Sequence, residues 1–454
     1  MRGQDGSQRL LLPTLALLTS ITAVVSSLGA PLVPSIAQSY DVRLTTAQWS
    51  LTAALLAGTV ATPILGRFAS GRLRRPTILA GLVIVTTGCA LAAVPTTYGV
   101  LVAGRAMQGI GMALLPLAIA VARDTLHGEP MSRAIALLSV TTVAGAGLGY
   151  PVTALLAEVG GLPAAYGLGT VLAGTTLALC WRYVPGSDAV ASMRVDWAGA
   201  ALLSLGMLAV LLAVSEGEVW GWAAPLTLTL GVAGLATLVV WGGWTLRSPT
   251  PLVDLRMAVR PGIAAPNLVA FVAGLGMYCL LTLSVVLVRA DEPGFGLGLP
   301  VLVAGLMLVP YSLMSVLGNR LARVVRTRLG QTLLLPVGCL MFLLSTVLLA
   351  VVHEHLWQLL LVMALGGVGS GFTFSSLAVL MVPHLPQAEV GSAVAFNQVL
   401  RYLGFTIGSA LSVALMAVYG GGAHGFRATL LTVSSLFVVA ALGAVVLDRR
   451  PTRT

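Results

Sequence analysis

PTILAGLVIVTTGCALAAVPTTYGVLVAG, residues 76–104, runs without one charged side chain between Arg75 and Arg105. About twenty apolar residues of helix cross the hydrocarbon core of a bilayer. The run therefore holds one crossing, a turn near Pro95, and the start of a second. It is not alone. Residues 10–40, 44–66, 134–157 and 261–288 are also free of charge, and each is long enough to span. The chain reads as a polytopic membrane protein, all-α by the bilayer's demand that every backbone group be satisfied within its own segment.

The composition says the same. Hydrophobic residues make up 57% of the 454 and charged residues only 9%, against about a quarter in soluble domains. A net charge of +10 would suggest nucleic acid in a soluble chain. Here it reads as the excess of basic residues that membrane proteins hold on their cytoplasmic side, and no nucleic-acid partner is expected. All 25 basic residues are arginine. The expected spans are 11–36, 46–67, 76–96, 99–122, 133–157, 162–183, 197–216, 223–245, 264–288, 298–319, 331–352, 357–382, 391–418 and 427–447. With the N-terminus in the cytoplasm, only Arg43, Arg289 and Arg427 fall outside, while Arg105 and Arg401 fall within spans. That asymmetry predicts fourteen crossings with both termini inside. The first apolar run follows Arg2 and Arg9, as in a signal peptide, but is too long for one and reads as a retained helix.

The loop GRFASGRLRRP (66–76) and the loop GNRLARVVRTRLG (318–330) both open on glycine and carry four arginines. They suggest a weak internal repeat: a six-helix bundle over 1–190, two added helices and a linker over 191–260, and a second bundle over 261–454. Internal repeats with a midplane site between them are common in transporters. Cys89, Cys180, Cys279 and Cys339 lie singly in apolar runs and form no metal or disulfide pattern. No cofactor or metal is expected. His353 and His355 are spaced i, i+2, which on a helix points them apart.

Within LVAGRAMQGIGMALLPLAIAVARD (101–124), Arg105, Gln108 and Met112 share one helical face. An arginine near the membrane centre costs roughly 2.5–3.5 kcal/mol on insertion scales and should face a cavity or a partner. Gly145, Gly147 and Gly149 loosely imitate a dinucleotide-binding loop, but no strand precedes them. Gly145 and Gly149 offer a flat face for a neighbouring helix, and Pro151 should bend the helix.

On these residues the chain resembles the major facilitator superfamily, and most of all its fourteen-helix branch of bacterial drug:proton antiporters. Arg105, Gln108, Gly109 and Gly111 match the R-x-x-Q-G-x-G motif of helix four. Gly145, Gly149 and Pro151 resemble the antiporter motif of helix five, without its trailing glycine pair. Trp49, Leu51, Thr52, Leu56, Pro63, Gly66 and Phe68 resemble helix two. Arg401, Gly404, Ile407, Gly408 and Ala410 resemble the branch's R-x-x-G-x-x-I-G-x-A. The resemblance implies the major facilitator fold and efflux of amphiphilic small molecules by alternating access, coupled to protons. It further implies a multi-pass place in a bacterial inner membrane. The expected substrate cavity comprises Arg105, Gln108, Met112, Tyr278, Thr373, Ser376, Asn397, Gln398 and Arg401. Gly66, Arg74, Arg75, Gly145, Gly149, Pro151, Gly404 and Gly408 are expected in gating and packing.

The chain departs from the family in its acids. Ser70 stands where the cytoplasmic loop motif has aspartate, and helix one offers only Thr19, Ser20, Thr22, Ser26 and Ser27 in its middle. None of the fifteen acidic residues lies mid-span. The cavity is therefore expected to favour neutral, zwitterionic or anionic amphiphiles over lipophilic cations. Asp124, Glu158 and Glu389 are the candidates for proton coupling. An importer or uniporter of the same fold is the alternative. A lipid enzyme would need a convergent nucleophile, base or metal set that the histidines, all at loops or interfaces, do not supply. A monomeric carrier with the bilayer as its surroundings is the expected form.

Overall fold

A computed structural model describes residues 2–67, 72–94, 96–126, 129–186, 196–249, 251, 255–258, 260, 262–292, 294–381 and 390–448. The described chain is helical. Its helices are α1 (Arg2–Ser27), α2 (Val33–Ser39), α3 (Leu44–Ala47), α4 (Trp49–Arg67), α5 (Arg74–Ala93) and α6 (Tyr98–Gly109). They continue as α7 (Leu114–Thr125), α8 (Glu129–Tyr183), α9 (Trp197–Trp220), α10 (Pro225–Arg247), α11 (Leu255–Ala258) and α12 (Ala264–Arg289). The last are α13 (Val301–Leu306), α14 (Leu308–Leu329), α15 (Leu334–Val351), α16 (Leu356–Met381), α17 (Val390–Val418) and α18 (Gly422–Asp448). Among the described residues, eleven helical stretches are long and apolar enough to cross a membrane, two of them running through α6–α7 and α13–α14, and α1 adds a shorter apolar run, Leu10–Ile21.

Several expected spans are not single helices. The span expected over 11–36 ends as a helix at Ser27, and a 3₁₀ turn (Ala30–Leu32) leads into α2. The span over 99–122 is cut by a second 3₁₀ turn, Ile110–Ala113, between α6 and α7. That turn follows Gly109 and contains Gly111, residues that resist the tighter winding least. The spans over 133–157 and 162–183 join in α8 with almost no loop. The chain reverses at Gly161, whose φ of 68° and ψ of −171° suit only glycine.

Small residues set the distances between helices, as expected where lipid gives no hydrophobic drive to associate. A Cβ on Gly109 would lie 2.0 Å from the Ala54 carbonyl oxygen, which fixes α6 against α4. The corresponding contacts between α14 and α16 are Gly318 on Val368 and Gly371 on Ser315. The pairings repeat along the chain: α1 packs on α8 as α12 packs on α17, and α5 packs on α8 as α15 packs on α18. α9 and α10 pair with each other, and α9 leans on α4 and α17. Asp196 caps α9 by accepting from the Gly199 amide at 2.8 Å, and ties it to α10 by accepting from Trp244 Nε1 at 2.9 Å.

Candidate functional site

The early helices meet the late ones along two seams. α4, with Gln48 just before it, meets α17 through polar groups that are fully buried. Gln48 Nε2 donates to the Ser409 carbonyl at 2.9 Å, the Thr52 and Ser409 hydroxyls are 2.9 Å apart, and those of Thr59 and Thr406 are 3.3 Å apart. α8 meets α13 and α14, where a Cβ on Gly305 would lie 2.7 Å from the Tyr150 carbonyl oxygen. At the end of the molecule holding residues 28–48, the Ala30–Leu32 turn packs on α12 and α13. There the Glu158 carboxylate accepts from the Leu302 amide at 3.0 Å, which caps the first turn of α13. The described contacts thus hold that end shut.

Arg105 finds partners rather than open space. It is 1% exposed; its Nε donates to the Ser50 carbonyl at 2.9 Å and its Nη1 to Gln108 Oε1 at 2.5 Å. Gln108 passes the chain on, donating through Nε2 to the Gly88 carbonyl at 3.2 Å. Met112 is buried on the same face, where a Cβ on Gly58 would meet its sulfur at 2.6 Å. These three residues bind α4, α5 and α6 together.

Arg401 is placed differently. It lies near the middle of α17, half-buried, with its guanidinium carbon 4.9 Å from the ring centroid of Phe374, 5.6 Å from Tyr402 and 5.9 Å from Phe405. Its Nε is buried without a hydrogen-bond partner among the described residues. Tyr278 of α12 packs on Phe405 with centroids 4.6 Å apart and ring planes tilted by 36°, and Gln398 Nε2 donates to the Tyr402 hydroxyl at 3.0 Å. So Tyr278, Gln398 and Arg401 come together, around rings that the sequence reading did not single out. A hint was there: Tyr402 and Phe405 follow Arg401 at i+1 and i+4.

The other expected residues are spread out. Asn397 donates to the Pro266 carbonyl at 3.2 Å and to Asn267 Oδ1 at 3.0 Å, linking α17 to α12. Thr373 is buried against α15, its hydroxyl 2.3 Å from where a Cβ on Gly338 would stand. Ser376 donates to the Phe372 carbonyl at 2.7 Å and lines a cavity of about 140 Å³ with Asn319, Arg323 and Arg326. Gly404 and Gly408 lie at the α12–α17 crossing, where added Cβ atoms would stand 2.2 Å from the Phe271 oxygen and 2.3 Å from that of Leu275. Arg74 is buried at the start of α5, and Arg75 Nη2 donates to the Trp181 carbonyl at 2.7 Å. Gly149 and Pro151 lie within α8, where the Thr153 hydroxyl donates to the Gly149 carbonyl at 2.8 Å. Gly66, Gly145 and Asp124 are described only as backbone within α4, α8 and α7, and Glu389 lies outside the described residues.

A larger apolar groove of about 870 Å³ lies between α4, α5, α6 and α9, lined by residues such as Leu56, Val60, Ile84 and Ala106, with Trp49 and Trp197 at its edges. It has the volume of a small-molecule site but almost no polar group to orient one.

Comparison with known proteins agrees with this architecture. The family model described as Major Facilitator Superfamily matches residues 15–252 and 267–454. Multidrug resistance protein 3 of Bacillus subtilis is 23% identical over 366 residues, covering 79% of this chain and 70% of that one. A uridine/deoxyuridine transporter of Lactococcus lactis is 24% identical over 367 residues, covering 78% of this chain and 76% of that one. The solved structure of the peptide transporter POT in complex with alafosfalin superposes with a TM-score of 0.69 at 15% identity, over 96% of this chain and 93% of the other. With its apolar helices, its seams and a family match along most of its length, the chain belongs to the Major Facilitator Superfamily of multi-pass membrane transporters.

Proposed function

We propose that this transporter is a secondary active carrier that exports amphiphilic small molecules, as in drug or natural-product efflux, by alternating access. It crosses a bacterial inner membrane fourteen times with both termini in the cytoplasm. Residues 1–190 and 261–454 act as two six-helix bundles that rock about a site between them, and residues 191–260 add two peripheral helices. The observation that carries the reading is the closed end: the Gln48, Thr52 and Ser409 contacts and the Glu158 cap join early helices to late ones at one face. Such polar contacts can part and re-form at modest cost, which a rocking carrier requires. The similarity to a protein named for multidrug resistance favours export.

Proton coupling belongs to the proposal with Glu158 as its best-placed carboxylate, because it spans the seam itself. A second reading, an importer or uniporter without proton coupling, is favoured by the absence of any acid mid-span and by the uridine/deoxyuridine transporter among the relatives. The two are separated in cells that overproduce the chain. Export predicts lower steady-state accumulation of a fluorescent amphiphile than in control cells, with the difference abolished by a protonophore. Higher accumulation than in control cells, unaffected by the protonophore, would establish the second reading instead.

A further inference from the structure

We propose that Arg401 is the anchor for the acidic group of an anionic amphiphile with a flat aromatic body, a carboxylate being the simplest case. The inference rests on the reading of the chain as a small-molecule carrier and names the substrate class of its site.

Three observations lead there. The first is depth. α17 is 29 residues long, and Arg401 lies about 16 Å from its start at 1.5 Å per residue. A charge at that depth needs a partner. The second is what surrounds it. Its only described partners are the rings of Phe374, Tyr402 and Phe405, and its Nε is buried without an acceptor. No acidic residue lies mid-span to neutralise it. The contrast with Arg105, whose Nε and Nη1 both meet oxygens, is direct. The third is the shape of the cluster. Rings from α16 and α17 hold the guanidinium by cation–π contact, and Tyr278 from α12 backs Phe405.

Guanidinium and carboxylate match as two parallel N–H···O bonds, stronger than neutral hydrogen bonds and stronger still away from water. The rings already fix the side chain, so little freedom is lost when an anion arrives. Tyr402 and Phe405 are buried, and Phe374 is only half-buried, so Phe374 is the ring left for a flat aromatic body to stack on; the Gln398 amide, held by Tyr402, lies one turn away for a second polar contact. A lipophilic cation meets the opposite: the rings that would welcome it are occupied by Arg401, whose charge repels it.

The test uses three compounds with one naphthyl body and one chain length: the carboxylate, its carboxamide and the matching primary amine. Binding to purified protein in detergent and uptake into proteoliposomes are both measured, for the natural protein, Arg401→Gln, Arg401→Lys and Phe374→Leu. The expected order of affinity is carboxylate, then carboxamide, then amine. Arg401→Gln should lower carboxylate affinity by about tenfold to a hundredfold, the worth of a charge-assisted pair, and leave the carboxamide within about twofold. Arg401→Lys should restore part of the loss. Phe374→Leu should weaken carboxylate and carboxamide alike.

Preference for the amine, or an equal loss of all three compounds in Arg401→Gln with Phe374→Leu silent, would overturn the proposal. So would failure of the natural protein to bind any carboxylate. Charge-selective binding that depends on Arg401 without uptake would sustain the anchor while refuting the export reading.

Discussion

Removing the polar contacts that Gln48 and Thr52 make to α17 should open the closed end. In the double substitution Gln48→Leu and Thr52→Val, both side chains keep their bulk and lose their bonds to Ser409. Gln48 is 2% exposed, Thr52 and Ser409 0%, so water does not take their place. Interhelical polar contacts in membranes average about 0.6 kcal/mol and reach about 1.7. Two of them sum to roughly 1–3 kcal/mol, which lowers the closed-to-open ratio about fivefold to 150-fold. The assay is a pulsed electron-resonance distance measurement between spin labels at Asp41→Cys and Asp291→Cys, both exposed at that end of the molecule and on opposite sides of the seam. The four native cysteines are buried, so the introduced ones take the label. The natural background should give a dominant short distance, and the double variant should add a long one. An unchanged distribution, with the variant folded, would refute the reasoning and make the seam a permanent joint.

Other residues carry their own tests. Glu158→Ala should loosen the same end, with a smaller gain in the long distance, since a helix cap is worth about 0.5–2 kcal/mol and this one is exposed. Gly408→Val should destabilise the α12–α17 crossing by about 1–3 kcal/mol, read as a lower Tm in detergent, because its Cβ would stand 2.3 Å from the Leu275 oxygen. Asp196→Ala should uncap α9, remove its tie to the Trp244 indole and alter the fluorescence of that residue. Burial and the nearby Arg427 charge hold His353 below the ordinary value of 6.5. The folded chain then binds fewer protons there than the unfolded one, so its contribution is complete above about pH 6.5 and is lost as pH falls below it. His353→Phe should flatten that part of the Tm-against-pH curve.

The apolar runs made the helical architecture legible, because lipid leaves few alternatives to helix. The breaks were harder to see. Gly161 and the Ile110–Ala113 turn lie inside charge-free stretches, where hydropathy carries no boundary signal. The charges Arg105 and Arg401 were conspicuous in the sequence, but not their different fates. Arg105 meets a backbone carbonyl of α4, and a carbonyl has no signature in sequence. Arg401 meets Phe374 from another helix, and nothing in the spacing of the chain's ten phenylalanines says which one will face it. The hydroxyls of the α4–α17 seam were hidden for a related reason. Serine and threonine in membrane helices usually bond the preceding turn, as Thr59 and Thr406 also do here, so their reach across the seam depends on where the helices cross.

The central claim is that this chain moves amphiphiles across a bilayer. It is tested most directly with purified protein in liposomes that trap a pH-sensitive dye under an imposed proton gradient. Carboxylate, neutral and cationic amphiphiles are added in turn, and labelled compound is followed alongside the dye. Saturable movement of the carboxylate amphiphile is expected, with a proton flux that depends on it. If no amphiphile crosses faster than in protein-free liposomes, with or without the gradient, the account is contradicted.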